Sequence, residues 1–274
     1  MATAHSADAM AGAGARPTPM WRQVAVPSEH GGWSLTAEPV ILGLIVAWSW
    51  SGVALGMAAV LAFVARTPLK VVLVDRWRGR WLDRSRVAAR IAAAELVVIA
   101  VLGLWATVGA SSGWFWVPLA AAGPLVGVEL WFDMRSRSRR LVPELAGTIG
   151  IGSVVAAIAL AAGEPMVLAV GLWVVVSARA GAAIPYARTQ VFRVYGRPVT
   201  LWHTDVAQAA AVVAVAAAWV LDAIPFVPVV AVAAIAVFNL AAVRGPVRRA
   251  VVIGLQQMTF GIAVIVVTAI AVLT

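Results

Sequence analysis

No cysteine occurs in the 274 residues. Disulfides, thiolate metal sites and a cysteine nucleophile are therefore excluded. Charge is scarce too: Asp, Glu, Lys and Arg make up 12% of the chain, against roughly 25% in a soluble domain. The sequence has no HExxH helix, phosphate-binding P-loop, dinucleotide fingerprint or serine-elbow motif, which removes the usual signs of zinc hydrolysis, nucleotide binding and serine hydrolysis. Residues 1 to about 20 are rich in Ala, Gly, Ser and Pro and hold no apolar run that could serve as a signal-peptide core.

Apolar residues are what the chain has most of, at 62% with a mean hydropathy of +0.94. That is more than a water-soluble core needs, so the excess must face lipid. A membrane helix takes about 20 mostly apolar residues. This length places spans at 33–50, 53–67, 87–109, 114–132, 142–162, 166–186, 203–221, 225–243 and 250–273. Ser51-Gly52, Ser111-Ser112-Gly113, Gly163-Glu164-Pro165 and the stretch from Asp222 to Pro225 are turn signals between spans. The expected fold is an all-α polytopic bundle of nine helices. Residues 1–24 are expected to be a disordered cytoplasmic tail and 25–274 a single transmembrane domain.

The basic residues fall in alternate loops. One loop carries Lys70, Arg76, Arg78, Arg80, Arg84 and Arg86; the next carries Arg135, Arg137, Arg139 and Arg140. Two more carry Arg188, Arg193 and Arg197, then Arg244, Arg248 and Arg249, while the intervening turns have no Lys or Arg. The positive-inside rule puts these loops and the N-terminus in the cytoplasm. The net charge of +9 then reads as contact with anionic lipid on that side and not as nucleic-acid binding. Tryptophans near both sets of span ends, such as Trp48, Trp114, Trp77 and Trp131, read as interfacial belts.

Ionisable groups inside spans are costly and point to function. Glu38, Glu95, Glu129, Asp133, Glu144, Arg179, Gln208, Asn239 and Gln256-Gln257 all fall in the cytoplasmic half, with Arg179 expected in the last turns of span six. A pore or alternating-access carrier more often places polar groups at the midplane and on both sides. The one-sided set suggests a pocket open to the cytoplasm.

Five stretches could carry chemistry. Pro27-Ser28-Glu29-His30-Gly31-Gly32-Trp33 sets an acid beside a histidine, as an acid/base pair or two metal ligands; a plain pre-helix turn is the alternative. Arg66-Thr67-Pro68-Leu69-Lys70, where Pro68 is expected to end the helix, offers two cations for phosphate or a positive-inside anchor. Asp75 and Asp83 could hold Mg²⁺ with a diphosphate, or be neutralised by Arg76, Arg78 or Arg84, which we favour. Arg140 and Glu144 have the spacing of a helical ion pair. Arg179, Tyr186 and Arg193 recur every seven residues; if the helix runs through Pro185 they share a face, and with Arg188 could clamp an anionic head. Loop anchoring is the alternative. Ala65-Arg66-Thr67 and Ala187-Arg188-Thr189, four spans apart, suggest a duplicated four-helix unit. His203, beside Asp205, reads as a structural interfacial residue.

Glu29-His30-Gly31 with Trp33, Arg66 to Leu69, Arg140 with Glu144-Leu145 and Gly147, and Tyr186-Ala187-Arg188 together resemble the YwiC-like family of bacterial membrane proteins. Arg193 falls one position late against that pattern. The resemblance implies a multi-pass protein of the bacterial plasma membrane. Nine helices with polar loops after the second and sixth also look like the UbiA prenyltransferase architecture. That likeness implies two four-helix repeats and a prenyl diphosphate held through Mg²⁺ by aspartate-rich motifs. Only Asp75 and Asp83 match such a motif, and loosely; arginines occupy the second.

The leading expectation is a membrane protein that binds or transfers a lipid or prenyl (di)phosphate from the cytoplasmic side. Arg66, Lys70, Arg179, Tyr186, Arg188 and Arg193 would hold the head. Glu29 and His30, oriented by Glu38, would handle a proton, and Asp75 and Asp83 would be the site of any Mg²⁺. The alternatives are a small-solute or ion transporter and a non-catalytic membrane assembly partner.

Overall fold

A computed structural model describes residues 19–25, 27 and 30–274, except for the side chains of 20, 23 and 30. The described residues form helices and turns with no strand. The helices are α1 (Met20–Ala25), α2 (His30–Val46), α3 (Trp50–Trp77), α4 (Asp83–Gly109), α5 (Trp116–Met134), α6 (Leu141–Ala162), α7 (Met166–Val194), α8 (Trp202–Val220), α9 (Val227–Ala242) and α10 (Ala250–Leu273). A 3₁₀ turn, Gly113–Phe115, leads into α5.

The nine long helices α2 to α10 follow the nine expected spans. Seven are long and apolar enough to cross a membrane; α2 and α9, at 17 and 16 residues, are shorter. Sixteen residues rise about 24 Å, less than a hydrocarbon core of about 30 Å. This is a multi-pass membrane protein, and every lysine and arginine in its described interhelical loops lies at one end of the bundle. Within the segment expected as a tail, α1 packs on α3 and α4; residues 1–18 lie outside the described residues.

Two helices overrun their expected ends. Neither Pro68 nor Pro185 stops its helix: α3 continues to Trp77 and α7 to Val194. Arg179 therefore sits near the middle of α7 and not in its last turns. Proline removes a backbone donor and pushes aside the carbonyl four residues earlier, and in a bundle neighbouring side chains can satisfy the freed groups. Near Pro185, α8 adds side-chain donors to two carbonyls of α7. Gln208 Nε2 donates to the Ala182 carbonyl at 2.9 Å, and the Thr204 hydroxyl donates to the Pro185 carbonyl at 3.4 Å.

Helix α6 is the hub, packed against α2, α3, α5 and α7. Its run from Val154 to Ala161 is buried throughout and half alanine, and such small residues let membrane helices approach closely. Ile158 is pinched between α2 and α3, where a Cβ on Gly43 would lie 3.0 Å and one on Gly52 2.9 Å from its side chain. The turns opposite the arginine-rich end are tight. Ser49 accepts from the Gly52 amide at 2.9 Å to cap α3. Gly163 closes α6 at φ +98, which glycine tolerates best.

Candidate functional site

A cavity of about 1040 Å³ lies among α2, α3, α4, α5 and α6. Its α3 wall runs from Leu55 to Leu69, about 21 Å of helix. Most of the wall is apolar: Phe63, Ile99, Leu119, Val126, Ile151 and Val154 are typical. Charge appears only at the arginine-rich end, as Arg66, Glu129, Arg139 and Glu144, with Ser138 among them. The result is a tail-shaped space with a polar mouth.

Arg66 organises the mouth. Its Nε donates to Asp133 at 2.8 Å, its second nitrogen to the other Asp133 oxygen at 3.2 Å, and its third meets Glu129 at 2.9 Å. The planar guanidinium suits this two-sided grip. Lys70 adds a contact to Asp133 at 3.5 Å and donates to the Ser138 hydroxyl at 2.7 Å. Arg66 and Lys70 thus come together at one place, as the sequence suggested, and both are already engaged with α5 or the loop after it. Glu129 and Asp133 were legible as acids closing a span. Their i, i+4 spacing puts them on one face, a signal that could have marked them as the partners of Arg66.

On the far side of the mouth, Arg188 of α7 donates to the Arg139 carbonyl at 2.7 Å and meets Glu144 at 3.4 Å. The ion pairs among the described residues do not include the expected Arg140–Glu144 pair; Glu144 meets Arg188 of α7. Arg139 is exposed, lines the cavity and forms no ion pair among the described residues. Sequence reasoning missed Arg139, which looked like one loop arginine among four.

The supposed clamp of Arg179, Tyr186 and Arg193 is not assembled. The helix does run through Pro185 and the three do recur along it, but each is committed elsewhere. Arg193 donates to the carbonyls of Val243 and Gly245 at 2.6 and 2.8 Å, closing the end of α9. Tyr186 is fully buried, its hydroxyl accepting from Gln256 at 3.3 Å. Arg179 forms a buried pair with Glu38 of α2 at 2.8 Å and donates to the Gln257 carbonyl. From there a chain of amides continues: Gln257 to Asn239 at 3.2 Å, Asn239 to Gln208 at 3.5 Å. This chain ties α2, α7, α10, α9 and α8 together inside an apolar bundle, where an unmet polar group is expensive.

Glu38 therefore faces Arg179 and not the start of α2. Glu29 and the side chain of His30 lie outside the described residues. Gly31 and Gly32, which follow them, line the cavity, and a Cβ on Gly32 would overlap the Phe63 ring. Glycine at this position is a packing requirement.

Asp75 and Asp83 are not gathered for a metal. Asp75 is wholly buried and accepts from Arg80 at 3.0 Å, Arg84 at 3.0 Å and Ser85 at 2.7 Å. Asp83 is exposed and pairs with Arg86 at 3.1 Å. No cluster of three or more His, Asp or Glu side chains suited to a metal occurs among the described residues. The two arginines and the serine staple the α3–α4 hairpin; of the arginines expected to neutralise the aspartates only Arg84 does so, with Arg80 and Arg86 in place of Arg76 and Arg78. In the loop after α9, Arg244 donates to Asp205, in the first turn of α8, at 2.8 Å, and that hydrogen bond holds its guanidinium above the usual arginine range.

A family model described as YwiC-like protein matches residues 26–161. No curated protein and no solved structure matches the chain. The matched segment supplies the whole cavity wall except Ile184.

Proposed function

The chain belongs, through residues 26–161, to the YwiC-like family, and on that premise we propose that its cavity binds a lipid-borne phosphate, such as a prenyl phosphate. The tail would lie along α3 and α6 and the head among Arg66, Lys70, Arg139 and Arg188. One observation carries this reading: an apolar space about 21 Å long ends in charged side chains at one end only. The far wall, with Leu104, Trp116 and Leu119, offers a small polar solute nothing to bind, which weighs against transport. The positive-inside rule supports a mouth on the cytoplasmic side; in a bacterial plasma membrane it would face anionic lipid.

The charge at the mouth narrows the head. Among the described residues, four cations (Arg66, Lys70, Arg139, Arg188) oppose three carboxylates (Glu129, Asp133, Glu144), leaving one net positive charge. A phosphate monoester, with about −1.5 to −2 charge at neutral pH, exceeds that balance by no more than about one charge. A diphosphate carries more and would require a further cation such as Mg²⁺, or protonation of a carboxylate. Transfer chemistry, if it occurs, falls to Glu29 and His30, which directly precede the cavity glycines Gly31 and Gly32. A UbiA-type arrangement of two four-helix units is the architecture we propose for such a pocket. In its support, α3 and α7 are the long helices that carry an internal proline about two thirds of the way along.

Thermal stability in detergent tests the reading. Ligand that binds only the folded state stabilises by RT ln(1 + [L]/Kd), so farnesyl phosphate at saturation should raise Tm by several degrees. No shift from farnesyl phosphate, farnesyl diphosphate or an anionic phospholipid would refute it.

A further inference from the structure

Past the mouth, α3 runs on for two more turns to Trp77, about 10 Å beyond Lys70, and there its end meets the end of α5. The Trp77 and Trp131 ring centroids are 6.4 Å apart. Arg135 caps α5 one turn after Trp131. Its guanidinium lies over both rings, 4.0 Å from the Trp131 centroid and 5.4 Å from that of Trp77. Residues four apart share a helix face, and a cation is favoured at a helix C-terminus, so the sequence itself sets Arg135 over Trp131. Ser136 then turns the chain at φ +56 and accepts at 3.0 Å from Arg78, the residue that caps α3. Two arginines from two helix ends are thus gathered around one tryptophan pair.

Neither arginine has a counter-charge. Among the described residues, Arg135 has no carboxylate or other acceptor for its side chain, and Arg78 has only the Ser136 hydroxyl. The carboxylates on these helix ends, Asp75 and Asp133, are fully buried and already held, one by Arg80 and Arg84, the other by Arg66 and Lys70. Arg76 and Arg137, exposed and in no ion pair among the described residues, add charge of the same sign. A ring face attracts a cation but does not cancel its charge. A guanidinium lying over rings also keeps its N–H donors, which point out in its own plane, free for a phosphate.

We infer that Arg78 and Arg135, framed by Trp77 and Trp131, form a binding site for the headgroup of an anionic phospholipid in the leaflet on the arginine-rich side. The rings fix the depth: tryptophans at span ends sit where headgroups lie, so the two guanidiniums are held at the level of lipid phosphates. The unbalanced charge fixes the sign. A headgroup bearing an ammonium would bring a like charge among Arg76, Arg78, Arg135 and Arg137, whereas one whose only charge is its phosphate supplies the missing anion. The site is separate from the cavity, because Lys70 and Asp133, which meet at 3.5 Å, lie between it and Arg66.

Native mass spectrometry of the full chain, stripped of lipid in a neutral detergent, tests the site. Wild type, Arg78→Ala with Arg135→Ala, and Arg135→Lys are each titrated with phosphatidylglycerol and with phosphatidylethanolamine. A control double variant, Arg248→Ala with Arg249→Ala, removes the same charge from two exposed arginines before α10, a helix packed on α2, α7 and α9. Wild type should bind its first phosphatidylglycerol more tightly than phosphatidylethanolamine. The Arg78, Arg135 double variant should weaken that first phosphatidylglycerol about fivefold or more, as expected when charge-assisted hydrogen bonds are lost. Arg135→Lys keeps the charge without the planar fork and should fall between the two, which a mere failure to fold would not produce. The control should stay within about twofold of wild type, because distant exposed charges are screened. Equal weakening in both double variants, or in neither, overturns the site and leaves only diffuse attraction to the charged end. Displacement of the first phosphatidylglycerol by inorganic phosphate at the lipid's own concentration overturns a lipid source. Farnesyl phosphate binding by the Arg78, Arg135 double variant should match wild type; its loss would merge this site with the cavity mouth and overturn it as a separate one.

Discussion

Gly147 of α6 lies so close to Glu129 of α5 that a Cβ on the glycine would overlap the carboxylate. This relationship explains why a glycine ends the Glu144-Leu-Ala-Gly147 stretch: the space it leaves is where Glu129 meets Arg66. Gly147→Ala should push Glu129 off Arg66 and destabilise the protein by about 1–3 kcal/mol, the usual range for overpacking. In a Glu129→Ala background the same change should cost much less, a coupling that a double-mutant cycle of Tm values reads directly. Additive losses would show that Gly147 does not act through Glu129.

The buried Glu38–Arg179 pair makes a second prediction. Glu38→Gln leaves a guanidinium without its counter-charge in the bundle interior, which typically costs about 3–5 kcal/mol. Glu38→Gln with Arg179→Met removes both charges and should recover at least half of that loss in thermal denaturation. Gly261→Ala, which would force a methyl into the Glu38 carboxylate, should behave like the single Glu38 variant. A double variant no better than Glu38→Gln would show that the pair is not an isolated electrostatic unit.

Asp75 is predicted to be structural. Asp75→Asn weakens its bonds from Arg80 and Arg84 and should lower Tm by several degrees. It should leave the Mg²⁺ dependence of ligand stabilisation as in the wild type. Loss of that dependence in Asp75→Asn would restore the metal reading of Asp75 and Asp83.

Metal removal tests the charge balance at the mouth. The single net positive charge among the described residues there, against the larger charge of a diphosphate, predicts that chelating Mg²⁺ weakens farnesyl diphosphate about tenfold or more, roughly 1.4 kcal/mol, and farnesyl phosphate less. Isothermal titration with and without chelator measures both. Equal sensitivity of the two ligands would contradict the balance.

The bundle was readable from the sequence because its two signals are local: apolar runs of membrane length, and arginines in alternate loops. The overruns of α3 and α7 were not, because a proline reads locally as a helix end, while the surroundings of Pro185 include Thr204 and Gln208 of α8, which are distant in sequence. The same limit governed the site. Arg66 and Lys70 were marked by their own loop, but Asp133 lies 67 residues from Arg66, and no local pattern assigns that pairing. The seven-residue recurrence of Arg179, Tyr186 and Arg193 was a true property of one helix. It does not form a clamp because the partners change along the helix, about 21 Å from Arg179 to Arg193: Arg179 meets Glu38 of α2 and Gln257 of α10, Tyr186 meets Gln256 of α10, and Arg193 meets the carbonyls that follow α9. The cavity itself arises where α4 and α5 fail to pack, and an absence of packing leaves no mark in composition.

Arg139 gives the cleanest access to the central claim. It is exposed, lines the cavity and takes part in no ion pair among the described residues, so Arg139→Ala should fold as the wild type does. Native mass spectrometry of wild type and Arg139→Ala, each incubated with equimolar farnesyl phosphate, compares binding in one measurement. The account predicts a one-to-one adduct on the wild type and an adduct reduced about five- to tenfold on the variant, as expected when one charge-assisted hydrogen bond is lost. An adduct of equal abundance on both, or none on either, would contradict a lipid phosphate held at this mouth.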